Sequence, residues 1–176
     1  MRAKFCFAAI VALAVWGMKR HYADARADDL WWILSPTAWL VGAITDTRFA
    51  LQPGEGYFSR ERLFLIEKSC AGINFMIAAF GMSACVLWHR VGSCLSGARV
   101  LGVSLLASYS AAVPVNVARI TIAMWLAAHS AGPSGLSAGQ IHRLEGIAVY
   151  FGGLVLLYEL VRRIDRSADV ARVSGT

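Results

Sequence analysis

The chain has 176 residues, of which 57% are apolar and only 16% charged. Soluble domains carry about 25% charged residues, so this balance, with a mean hydropathy of +0.55, excludes an ordinary water-soluble domain and points to a membrane. The net charge of +6 is not a nucleic-acid signature, because the arginines flank apolar runs, where they suit lipid headgroups, instead of forming a basic stripe.

Five apolar segments follow one another: 5–18, 30–45, 70–88, 100–126 and 146–161. Segments three and four have the roughly 20 apolar residues that cross a bilayer. Segments two and five are shorter and need flanking amphipathic residues to span. Trp31, Trp32 and Trp39 suit an interfacial belt. In segment one, Arg2 and Lys4 precede a 14-residue apolar run, as in a signal peptide, and Ala23-Asp24-Ala25 resembles a cleavage site. Lys19 and Arg20 directly after the run favour a retained helix. The expected fold is all-α: one polytopic helix bundle of about five spans over residues 1–176.

Between segments two and three, Pro53, Gly54 and Gly56 mark a turn. In 58–69, Phe58, Leu63, Phe64 and Ile66 are interleaved with Arg60, Glu61, Arg62 and Glu67, which predicts an interfacial helix before the third span. The 127–145 connection holds Gly132, Pro133, Gly135 and Gly139 and reads as a mobile or re-entrant loop. Arg90 and Arg99 in the 88–99 loop, and Arg162, Arg163, Arg166 and Arg172 in the tail, put both on the cytoplasmic side. The 127–145 loop then faces outward. The charge bias over the whole chain is slight, and this orientation rests on the last three spans.

Three side chains at segment edges share a spacing. Cys70 lies 20 positions from Arg90, Arg119 lies 20 from Arg99, and His142 lies 20 from Arg162. Twenty helical residues rise about 30 Å, the thickness of the hydrocarbon core, so the three side chains fall at one depth on one side. The markers come from several arginines, so the repeated interval has little weight alone.

Arg119 is costly within an apolar segment and needs a partner, a wet cavity, or a path for snorkelling to the headgroups. Asn116 lies three positions earlier, on the same helical face, and Pro114 frees a backbone carbonyl. Cys70 opens segment three, where unpaired N–H groups and the positive helix end favour a thiolate. Gly72 permits close approach of another backbone. Cys6, Cys85 and Cys94 lack such a setting and read as packing residues. The four Cys show no C-x-x-C pairing or zinc spacing, so no metal and no cofactor is expected. His142, just before segment five, is the base that a thiol nucleophile needs. His129 is the rival base, with no motif around it. A guanidinium at Arg119 suits a developing oxyanion. Gly132-Pro133-Ser134-Gly135 matches the G-x-S-G pattern of rhomboid serine proteases. Rhomboids carry that Ser and their His on different helices, however, and here His142 follows Ser134 by eight residues in one connection.

The Cys-x-Gly of Cys70 and Gly72, the Pro-x-Asn-x-x-Arg-Ile of Pro114, Asn116, Arg119 and Ile120, and the His-x-x-x-Gly of His142 and Gly146 occur in the order seen in exosortases. The short length and the 67–74 stretch most resemble the exosortase K subtype, and the resemblance covers a core of about 60–163. It implies a bacterial inner-membrane cysteine protease and transpeptidase, multi-pass, with its site facing the periplasm. Its implied substrates are C-terminal sorting tails of exported proteins, each with a Pro-Glu-Pro motif, a transmembrane helix and a basic cluster. Carried over, Cys70 is the nucleophile, His142 the general base and Arg119 the transition-state stabiliser, with Asn116, Gly72 and Gly146 in support. Many exosortases have about eight spans, and this chain has room for about five, so substrate breadth and partner dependence stay open. The partners implied are such tails and the bilayer. The alternative is a non-enzymatic membrane subunit binding a substrate helix or a lipid headgroup, with Arg119 and His142 on phosphate and Cys70 incidental.

Overall fold

The computed structural model describes the backbone of residues 2–129 and 138–174, and their side chains except at 129, 138, 139, 141, 142 and 171–174. Helix α1 is Arg2–Asp24 and α2 is Trp31–Thr45. Strands β1 (Ala50–Gln52), β2 (Gly56–Ser59) and β3 (Phe64–Ile66) follow. Then come α3 (Ile73–Val86), α4 (Cys94–His129) and α5 (Ala138–Ser174).

Three helical stretches are long and apolar enough to cross a membrane: Lys68–Arg90, Cys94–Ala128 and Arg143–Val170. The expectation of five spans is corrected to three. In α1 the apolar run is only 14 residues long, between Arg2 and Lys4 on one side and Lys19 and Arg20 on the other. Helix α2 is 15 residues, about 23 Å, short of the hydrocarbon thickness. It gains no extra length because Asp46 turns left-handed at φ 47° and returns its N–H to the Gly42 carbonyl. Segment five does gain length, since α5 runs well beyond it at both ends. Phe151 and Leu156 on α5 are 68% and 73% exposed in the chain, an apolar surface that suits lipid better than water.

The interfacial helix expected at 58–69 is also corrected. That stretch belongs to an antiparallel sheet of order β1-β2-β3, with Leu51 opposite Tyr57 and Phe58 opposite Leu65. The charges that suggested a polar helix face, Arg60, Glu61 and Arg62, instead form the β2–β3 turn. Leu63, at φ 49°, closes that turn. With the charges removed to a turn, Ser59 and Ile66 are both fully buried. Of the turn expected at Pro53, Gly54 and Gly56, Pro53 and Gly54 join β1 to β2 while Gly56 opens β2, and Gly54 donates its N–H to the Asp28 carboxylate at 2.9 Å.

The chain divides into two compact units. One comprises Met1–Tyr22, Asn74–Ala111 and Gly153–Thr176. In it Phe7 meets Trp88 edge to face, with ring centroids 5.5 Å apart. Arg90 donates to the carboxylates of Asp165 and Asp169 and to the Asp165 carbonyl. The other unit comprises Ala23–Ile73 and Ala112–Gly152. Its core includes Leu30, Ile33, Leu34, Val41 and Ile66, all fully buried. Lys68 Nζ donates to the Ala23 carbonyl at 3.0 Å.

Candidate active site

Cys70 ends a short 3-10 turn, Lys68–Cys70, that leaves β3 and precedes α3. Its N–H donates to the Glu67 carbonyl at 2.9 Å. Sequence reasoning places Cys70 at the opening of a helix with an unpaired N–H; the structure corrects this, because α3 begins at Ile73 and the Cys70 N–H is satisfied. The interruption is Gly72, whose φ of 68° is left-handed and breaks the helical path. The thiol is partly exposed, and the Ser69 hydroxyl lies 3.8 Å from Sγ. Ser69 also donates to the Glu67 carboxylate at 2.6 Å.

Asn116 is fully buried on α4. Its side-chain amide donates to the Cys70 carbonyl. A Cβ on Gly72 would stand 3.1 Å from Asn116 Cγ, so glycine is what lets the Cys70 turn close over this amide. The approach of another backbone expected at Gly72 is thus corrected: what comes close is the Asn116 side chain. The other end of the amide, Oδ1, accepts from the Tyr150 hydroxyl at 2.9 Å.

Arg119 shares a face of α4 with Asn116, one turn on. Its Nη1 donates to the same Tyr150 hydroxyl at 3.2 Å. The guanidinium also lies over the Tyr150 ring, 5.2 Å from its centroid, within cation–π range. A Cβ on Gly146 would come within 3.0 Å of Arg119 Nε, so Gly146 is the notch in α5 that receives the guanidinium. Glu145 stands close by: Arg119 lies within electrostatic reach of its carboxyl group, whose oxygens are enclosed. Cys70 and Glu145 both lie within electrostatic reach of the Tyr150 hydroxyl.

The structure thus brings Cys70, Gly72, Asn116, Arg119 and Gly146 together in one unit. Pro114 does not interrupt α4, which continues through it. His142 lies on α5 one turn before Gly146, while its side chain, like that of His129, lies outside the described residues. So do Gly132, Pro133, Ser134 and Gly135. The loop expected over 127–145 is shorter than anticipated, since α4 runs to His129 and α5 starts at Ala138.

Tyr150 and Glu145 stand at the site without having been expected there. A signal was present for each. Tyr150 follows Gly146 by four residues and so shares its helical face, and a hydroxyl in an apolar run needs a partner. Glu145 is an acid at the edge of a span, where a charge needs a counter-ion.

A second polar cluster lies in the other unit. His89, Asp165 and Asp169 bring potential ligand atoms within 4.8 Å of one another. Arg90 already donates to both carboxylates, so its guanidinium supplies the positive charge there.

No family model, no curated protein and no solved structure matches this chain.

Proposed function

We propose that this chain is a membrane-embedded cysteine peptidase and transpeptidase that cleaves C-terminal sorting tails of exported proteins at the outer face of a bacterial inner membrane. The observation that carries the reading is the hydrogen-bonded path from Arg119 through Tyr150 and Asn116 to the Cys70 carbonyl. A charge in an apolar segment is linked by three bonds to the backbone of a partly exposed thiol. A packing cysteine has no use for such a link. The resemblance of the motifs to exosortases supplies the substrate class.

In the proposed reaction His142 takes the proton from the Cys70 thiol, and the thiolate attacks the scissile carbonyl carbon. A C–S bond forms, and the carbonyl π electrons move to oxygen. Arg119 stabilises that oxyanion. A guanidinium carries five N–H donors, so holding Tyr150 fixes its plane without using up its capacity. The C–N bond then breaks, and His142 returns the proton to the leaving amine. Water or an amine acceptor resolves the thioester and restores the thiol. The proposed site depth matches a cut just outside a substrate's membrane helix.

The test uses cells producing this chain with a reporter that carries a Pro-Glu-Pro motif, a transmembrane helix and a basic cluster at its C-terminus. Cys70→Ala and Arg119→Ala accumulate uncut reporter while the membrane protein stays at its normal level. Normal processing with Cys70→Ala removes the thiol mechanism.

A further inference from the structure

Within the unit that holds the first turns of α4 and the last turns of α5 lies an open groove of about 420 Å³. Helix α4 lines it with Arg99, Val100, Val103 and Ala107, and α5 with Val161 and Ile164 among others. Spacings of three and four residues put each set on one helical face. Val103 is 50% and Ile164 61% exposed, so the groove opens to the surroundings. Both helices belong to stretches able to cross a membrane, so those surroundings are hydrocarbon near the span ends. An apolar gap left empty there forfeits dispersion contacts on every lining atom.

The polar groups of the groove differ in what they already hold. The Arg90 guanidinium is engaged by Asp165 and Asp169. The Ser96 hydroxyl donates to the Ser93 carbonyl and accepts from the N–H groups of Gly92 and Ser93. Arg99 is exposed and has no acidic partner among the described residues. One cation without a counter-ion among the described residues therefore stands beside an apolar trough. We propose that this groove binds an anionic phospholipid, with an acyl chain along Val100, Val103, Val161 and Ile164 and the headgroup phosphate on Arg99. Guanidinium and phosphate pair through two parallel N–H···O bonds, and basic pockets between spanning helices take anionic headgroups for that reason.

The experiment titrates the full chain in detergent with phosphatidylglycerol, phosphatidylcholine and inorganic phosphate, and reads binding by native mass spectrometry. Phosphatidylglycerol binds about fivefold more tightly than phosphatidylcholine, the ratio that one basic residue near a membrane surface contributes. Arg99→Gln removes that preference. Arg166→Gln, which changes an exposed arginine of α5 outside the groove lining, retains it. Val103→Trp, which fills the trough, weakens both lipids. Equal binding of the two lipids overturns the proposal, as does an unchanged preference in Arg99→Gln or its loss in Arg166→Gln. Displacement of phosphatidylglycerol by an equal concentration of inorganic phosphate also overturns it, since the trough then contributes nothing.

Discussion

The Tyr150 hydroxyl donates to Asn116 Oδ1 at 2.9 Å, and that bond ties α5 to the α4 residue that holds the Cys70 carbonyl. The same hydroxyl oxygen accepts from Arg119. One phenol therefore sets the position of both the guanidinium and the cysteine turn. Tyr150→Phe keeps the ring under the guanidinium and removes the hydroxyl. Leaving Asn116 Oδ1 unsatisfied costs about 1–3 kcal/mol, read as a lower unfolding temperature in detergent. Reporter cleavage slows about tenfold or more in kcat with little change in KM, because Tyr150 acts through Arg119 and not on the substrate. An unchanged kcat would show that Arg119 needs no positioning.

The two glycines of the site separate stability from chemistry. Gly72→Ala places a Cβ at φ 68° and 3.1 Å from Asn116 Cγ. It destabilises the protein by about 1–2 kcal/mol through the left-handed backbone alone, more with the steric contact. Gly146 is helical, so Gly146→Ala gains helix propensity while pushing Arg119 Nε from 3.0 Å. Its unfolding temperature changes little, and its cleavage rate falls. Thermal unfolding and single-turnover cleavage, run side by side, check both outcomes.

Thiol chemistry discriminates an enzyme from a binding subunit. In a variant with Cys6, Cys85 and Cys94 replaced by Ser, Cys70 is the remaining thiol. A membrane-impermeant maleimide added from the outer side labels it, and His142→Ala slows labelling several-fold as the thiolate fraction falls. Labelling that ignores His142 assigns Cys70 to packing.

The β2–β3 turn holds a removable strain. Leu63 adopts φ 49° and is 82% exposed, so its side chain contributes little burial. Leu63→Gly relieves about 1–2 kcal/mol of left-handed strain and returns up to about 1 kcal/mol through the freer unfolded chain. The midpoints of the two effects leave a net gain of about 1 kcal/mol, seen as a small rise in unfolding temperature. An interfacial helix at this position would instead lose stability with Gly.

The three stretches long and apolar enough to cross a membrane were legible in the sequence, among five that were expected, as were the α2 boundaries and the shared face of Asn116 and Arg119. Backbone hydrogen bonds must be satisfied within an apolar run, so composition and length alone impose helices there. Helical periodicity then settles which side chains share a face. The 58–66 stretch was not legible in this way. Its apolar residues alternate with charges, and only pairing with Tyr57, Phe58 and Ser59 sends Arg60, Glu61 and Arg62 into a turn. For Tyr150 the sequence marks a hydroxyl in need of a partner but not which one, because 34 positions separate it from Asn116. Composition and periodicity were enough for the long apolar helices and for the shared face of Asn116 and Arg119. That a tyrosine joins Arg119 to the cysteine turn emerged from the packing of α4 and α5, because a hydrogen bond between distant residues depends on how helices pack, which no local pattern encodes.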